Sequence, residues 1–392
     1  MASKMMTRRG ASAAAMAGAA VALAAGPARA DALDDALAWL TEIGAKDHNK
    51  PFTKESLAKL YSISLGTNEI AAKLKPDDLK HLAALPALRS LDLSNKAYGD
   101  DMAAAAAKLA NIQSLNMGGE NQLTDKALLE IGRMVKLESL TLSGSLFAPS
   151  KYTAAGVKAL AALPNLQTLD LSQSSFGDAG LIELKAAPKL RSLNIIGAKG
   201  VGRPGLEALA AIKTLRRLVL QWVEVDEEVE ALTASTAIED IVFMGAFNTK
   251  KHFTDAGGVQ LAKMKQLTSV AIWHTKVTDK TLVALAALPR LRTLIVSKTE
   301  VTDAGFAPFA KHATLATVWA SETKLTGAGM AHFAAMPKLG SLSIDDTKVT
   351  NAGLLTLAAN AALTSVSARK TGVDDAGIAK AKEVNPKLRV SK

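Results

Sequence analysis

Along most of the chain, apolar residues take the first, fourth and sixth places of a short phrase, LxxLxL, that returns at a nearly constant interval. Its first residues are Leu60, Leu88, Ile112, Leu137, Leu166, Leu190, Leu215, Ile238, Leu267, Leu291, Leu315, Leu339, Leu363 and, shortened, Leu388. Successive spacings are 28, 24, 25, 29, 24, 25, 23, 29, 24, 24, 24, 24 and 25, and a period of that length marks a solenoid rather than a string of globular domains. Within each unit the hydrophobic period changes. Ser90-Leu91-Asp92-Leu93-Ser94 alternates every second residue, which predicts a strand; Asp303-Ala304-Gly305-Phe306 through Phe309 and Ala310 follows a helical period. Each repeat is expected to run strand, turn, short helix, return.

The turns carry their own signals. Thr124, Thr254, Thr278, Thr302, Thr326 and Thr350 precede the helical segments, and Asp125, Asp255, Asp279 and Asp303 follow, the pattern of a hydroxyl N-cap with an acid in the first turn. Capping accounts for these acids without a calcium ladder, and Gly327 and Asn351 interrupt the series. Thr275, Thr299, Thr323, Thr347 and Thr371 recur every 24 residues in a loop slot where a structural role is expected.

These residues resemble the leucine-rich-repeat family, in its 24-residue bacterial form LxxLxLxxTxVTDAGLxxLAALPx, similar to ribonuclease-inhibitor-like and GALA-type repeats. The clearest copies are Leu291 to Thr314 and Leu339 to Ala362. The resemblance covers residues 60–392, about 13 repeats, and implies an α/β fold: a right-handed horseshoe with a parallel sheet on the concave face and helices on the convex face. In that family the slot of Thr275 and its successors often holds an asparagine ladder. Curvature follows from spacing alone, because strands stack about 4.8 Å apart and helices need about 8–10 Å.

Residues 31–59 are expected to form an N-terminal helical cap. Leu33, Ala36, Leu37, Leu40 and Ile43 share one face of a predicted helix, with Trp39 beside them, and could cover the exposed end of the core. Phe52-Thr53-Lys54 fits the VTD slot, so a helical half-repeat should begin near residue 53. The final strand is flanked by Lys387, Arg389 and Lys392, charges that discourage edge pairing. Residues 1–30 read as a targeting segment: Lys4, Arg8, Arg9 and Arg29, no acid, an uncharged Ala/Gly-rich run, and Ala28-Arg29-Ala30 at the end. This predicts a cleaved signal peptide and a periplasmic or secreted product, with an organelle transit peptide as the alternative and the Sec or Tat route open. The run is too weakly apolar for a stable membrane anchor.

Composition narrows the chemistry. The chain lacks cysteine, which removes thiolate metal sites and thiol nucleophiles. Its net charge of +10 is spread along the length rather than gathered in a basic stripe, which argues against nucleic acid. Gly200-Val201-Gly202-Arg203-Pro204-Gly205 matches G-x-G-x-x-G, but Val201, Gly205 and Leu206 occupy the V, G and L of the repeat, so no dinucleotide site is expected. His81 and His332 share a helix slot and His312 ends another helix; all three are expected to be solvated. No nucleophile, base and orienting acid converge in this register, so no catalysis, cofactor or metal is expected.

Third, fifth and seventh positions of LxxLxL should face out of the concave sheet. Asp92, Asn116, Asp170 and Asn194 make its first half polar, and the middle turns apolar. Three of the four tryptophans fall there, and the candidate partner-binding set is Val219, Gln221, Trp222, Val242, Met244, Phe247, Trp273, His274, Ile295 and Trp319. A contiguous apolar patch of several hundred Å² usually marks an interaction surface, although large residues can also simply shield one another on a partly wet sheet. Two repeats carry about five extra residues, at Gly144–Lys151 and Gly245–His252. These would form rim loops bearing Phe147 and Phe247, the second adding a wall with Lys250 and Lys251, while Tyr152 and Phe253 enter the core. Lys298, Glu322, Asp346 and Lys370 succeed one another in one repeat position, where opposite charges can pair. The expectation is a noncatalytic protein that binds a protein or peptide through this patch. The alternatives are glycan or cell-envelope binding by the polar half, and a host-directed effector of the GALA kind, whose F-box residues 31–59 are too short to supply.

Overall fold

The computed structural model describes residues 27–392 except 48–49, 96, 120–121, 146–149 and 246–250. Residues 1–26 of the expected leader, and Phe147, Phe247 and Lys250 of the expected loops, lie outside the described residues. The described residues form one parallel sheet whose fourteen strands stand in sequence order. They are β1 (Ser62–Ser64), β2 (Ser90–Asp92), β3 (Ser114–Asn116), β4 (Ser139–Thr141), β5 (Thr168–Asp170), β6 (Ser192–Asn194), β7 (Arg217–Val219), β8 (Asp240–Met244), β9 (Ser269–Trp273), β10 (Thr293–Ile295), β11 (Thr317–Trp319), β12 (Ser341–Ser343), β13 (Ser365–Ser367) and β14 (Arg389–Ser391). The register matches the repeat phase: Leu91 sits against Leu115, Leu294 against Val318 and Leu342 against Val366. Fourth and sixth positions such as Leu91, Leu93, Leu294 and Val296 are buried, while the flanking residues stay part-exposed.

Between strands the chain returns through short α-helices or 3-10 turns. The helix over Asp303–Phe306 tightens to a 3-10 turn at Ala307–Phe309, where Pro308 supplies no amide to continue the α ladder. Tyr152 and Phe253 are buried, as their valine slots require, and Phe253 stacks on Phe243 with ring centroids 4.2 Å apart.

Threonine side chains cap several of these helices as expected, but the helix over Met330–Ala334 has Gly329 rather than Thr326 at its N-cap, and Thr350 makes no side-chain cap bond to the helix over Asn351–Ala358. Thr254, Thr278 and Thr302 have extended backbones, and each Oγ1 accepts the amide two residues on. The acid after the cap does more than face a helix dipole. Asp125 accepts from the Thr153 amide and hydroxyl, both at 2.7 Å, and from the Gly156 amide at 3.0 Å. Asp279 is bonded in the same way by Thr302, and Asp303 by Thr326, so each carboxylate ties one repeat to the next. This bridge explains the glycine of VTDAGL: a Cβ on Gly156 would lie 2.5 Å from Asp125 Oδ1 and 2.8 Å from Leu128 Cδ2. Gly202 and Gly205 donate their amides to Asp178 at 2.7 and 3.0 Å, which accounts for two glycines of the G-x-G-x-x-G match.

The threonines spaced by 24 residues are structural as well. Thr275, Thr299, Thr323, Thr347 and Thr371 each donate a hydroxyl to the carbonyl three residues earlier, at 2.6–2.8 Å. To turn the threonine inward, the chain passes through the left-handed region at the preceding residue. Gln173 and Trp222, which precede Ser174 and Val223 in the same slot, and His274, Lys298, Glu322, Asp346 and Lys370 before the threonines all have φ between +52° and +57°. The amides of the first six still continue the sheet ladder, as when Lys298 donates to Ser321 O at 2.9 Å.

At the N-terminal end, α1 (Pro27–Ile43) begins ahead of the boundary expected at residue 30, and α2 (Lys54–Lys59) starts at the Thr53 cap. Ala36, Leu40 and Ile43 are buried in the cap and Leu33 and Leu37 partly so. Trp39 is buried too and stacks on His81, 5.4 Å between centroids. The histidines depart from expectation. His312 is 9% exposed and its Nε2 lies 2.9 Å from Leu288 O, one repeat back. It occupies the kind of position from which Asn360 and Asn385 clamp carbonyls of the preceding repeat. His332 is half-buried.

Candidate functional site on the concave sheet

The outward residues of the middle strands assemble a second apolar cluster, separate from the core beneath. Val219, Val242 and Ala271, fifth positions of β7, β8 and β9, are at most 7% exposed, and Ile196, Trp273 and Ile295 pack against them. Side chains on a parallel sheet stand one strand spacing apart, so small and branched residues close over one another and become a floor. Trp319, the fifth position of β11, follows in the same row and is 48% exposed.

Over this floor opens a cavity of about 420 Å³. Gln221, Val242, Trp273, Ile295 and Trp319 of the expected set line it, together with Ala271. Val219 lies in the floor rather than the lining. Met244 is half-buried at the end of β8 and outside the lining.

Trp222 departs from the expected set. It occupies the left-handed turn position, half-buried, with its indole nitrogen sealed from solvent, and does not line the cavity. The turn carries its side chain off the sheet, so an indole one place after a seventh-position residue does not continue the concave row. His274 occupies the same turn position, and its Nδ1 is 3.1 Å from Gly245 O at the root of the longer loop. Lys251, expected to help wall the patch, instead reaches Glu228 at 2.6 Å and Glu227 at 3.1 Å. Burial alone would lower the Lys251 pKa, but its bonds to Glu228 and Glu227 outweigh this and raise it.

Two ion pairs edge the cavity, one unread in the sequence and one expected from the charge succession at Lys298 and Glu322. Arg217 and Asp240, third positions of β7 and β8, pair across neighbouring strands on one side. Lys298 and Glu322 pair at 3.3 Å on the other, both exposed. Ser269, Ser297 and Ser321 complete the polar margin. The site is thus an apolar trough with two exposed-edge ion pairs, a composition suited to anchoring an amphipathic group.

The polar half of the sheet is engaged with itself. Asp170 accepts from the Ser172 amide and hydroxyl and from Asn194 Nδ2 at 2.9 Å, and Asn116 accepts from the Gly118 amide. Among the described residues no cluster of three or more His, Asp or Glu could hold a metal, and no helix is long and apolar enough to cross a membrane.

A family model described as Leucine Rich repeat matches residues 162–185. No curated protein gives a significant sequence match. Among solved structures, an internalin (inlF) from Listeria monocytogenes superimposes with a TM-score of 0.54 at 17% identity, covering 92% of this chain and 94% of that one. A leucine-rich-repeat protein of Leptospira interrogans gives a TM-score of 0.49 at 16% identity, covering 91% and 98%. With fourteen in-register parallel strands alternating with helical returns among the described residues, the chain has the fold of a leucine-rich-repeat solenoid.

Proposed function

We propose that this protein is a noncatalytic binding protein that holds a protein or peptide segment in the concave trough of β7–β11. The observation that carries the proposal is the arrangement around Trp319: an indole 48% exposed beside Trp273 and Ile295, over a buried floor that the core does not need. Exposed indoles bordered by polar groups are the usual anchors of protein interfaces. The polar half of the sheet is a weaker candidate for glycan, because its carboxylates and amides are already spent on backbone and neighbouring strands.

The test is to select binders from a displayed peptide library with the wild-type chain and to titrate them by tryptophan fluorescence. Trp273→Ala with Trp319→Ala should weaken the selected peptides at least tenfold, since an aromatic anchor commonly contributes more than 1.4 kcal/mol, while thermal unfolding stays cooperative. Unchanged affinity in the double variant would remove the proposal. The basic, acid-free first thirty residues extend it to export; a native chain recovered with its N-terminus intact at Met1 would remove that part.

A further inference from the structure

We infer that the occupant of the trough is an amphipathic α-helix lying across the strands; this deepens the binding function proposed above and rests on it. The apolar surface is carried by a row of fifth positions, Val219, Val242, Ala271, Ile295 and Trp319, one from each of β7 to β11, with Trp273, the seventh position of β9, standing beside it. On one side of the row stand Arg217, Asp240 and Ser269, and on the other Gln221, Ser297, Ser321, Lys298 and Glu322, with Trp273 among them. Because the strands pair in register, the row runs perpendicular to them with one anchor every ~4.8 Å, and its four steps span about 19 Å.

Three ways of filling such a row differ in spacing. A segment parallel to the strands meets the apolar surface at one residue, or at Ala271 and Trp273 on β9, and lays the rest on the polar margins. An extended segment along the row presents same-face side chains about 6.7 Å apart, and after four steps has drifted by more than a whole strand spacing. A helix along the row presents an apolar group once per turn, every ~5.4 Å, and after four turns is displaced by only about half a spacing. The distance from third to seventh positions, about 13 Å, admits a helix about 10–12 Å across. The residues beside its apolar stripe would then face Arg217–Asp240 on one flank and Lys298–Glu322 on the other, so both margins offer both signs of charge. A row of 19 Å calls for a helix of about 13 residues with apolar groups at i, i+4, i+7 and i+11.

Two display libraries test this directly: a 14-residue helix held on a rigid scaffold with one face randomised, and the same sequences with proline at the centre. Selection on the wild-type chain should yield binders from the helical library with the stated apolar stripe. A central proline should weaken them about 100-fold, the factor by which it disfavours a helix interior, and Trp319→Ala should weaken them about tenfold or more. Binders that tolerate the central proline with less than a threefold loss, yet still need Trp273 and Trp319, would overturn the helix and leave the trough. Binders indifferent to both tryptophans, or none from either library, would overturn the trough and the helix together.

Discussion

At the scale of single residues, the repeat is held by contacts that cross from one turn to the next. The Asp125 carboxylate and Gly156 form one unit, because the three hydrogen bonds to the acid require the close approach that only glycine permits. Gly156→Ala should therefore destabilise the fold by about 1–3 kcal/mol. In an Asp125→Ala background the same change should cost at least about 1 kcal/mol less, because the obstructing oxygen is gone. Urea denaturation of the four proteins measures this coupling; simple additivity would refute the linkage. Such pairs were half legible. The VTDAGL phrase shows an acid and a glycine in sequence, but the partners are about thirty residues apart, and local capping explains the acid just as well. His312 was hidden for the same reason: its carbonyl partner, Leu288, belongs to the previous repeat.

At the scale of elements, the bridge made by Asp255 makes its junction between repeats sensitive to pH. Burial would raise the Asp255 pKa, but the hydroxyls and amides of Thr278 and Thr281 more than offset it and hold the carboxyl below its ordinary value. A carboxyl depressed in the folded state stabilises the protein above its unfolded pKa, near 4, and that contribution disappears as the pH falls through the folded value. Asp255→Ala should thus cost stability at pH 7, and the gap to wild type should narrow by pH 3; a gap independent of pH would exclude this role. The strands were the most legible elements, since leucines at fourth and sixth positions leave one choice of inward face. The turn after each strand was not. Nothing in Trp222, Lys298 or Glu322 announces a left-handed backbone, which glycine would have flagged. That turn removed Trp222 from the concave row. The third-position charges of Arg217 and Asp240 were overlooked because the fifth and seventh positions carried the apolar signal.

At the scale of the whole molecule, binding and folding are separable by position along the solenoid. The trough occupies β7 to β11, so repeats beyond it serve only their neighbours. Excising residues 339–362, one full period carrying β12, should leave a cooperatively folding protein that still binds peptides selected on the trough. Excising residues 267–290 removes Ala271 and Trp273 with β9 and should abolish binding while preserving circular dichroism. Equal binding by both deletions would place the interaction elsewhere.

The strict neighbour order of the sheet also has a mechanical meaning. Each strand holds only the strands before and after it in sequence, so a load applied at the two termini meets the turns in series, never in parallel. Stretched in an optical trap, the protein should yield one coil at a time, each 24-residue coil releasing about 80 Å of slack. The sawtooth should rewind when the load is relaxed, as expected of a molecular spring.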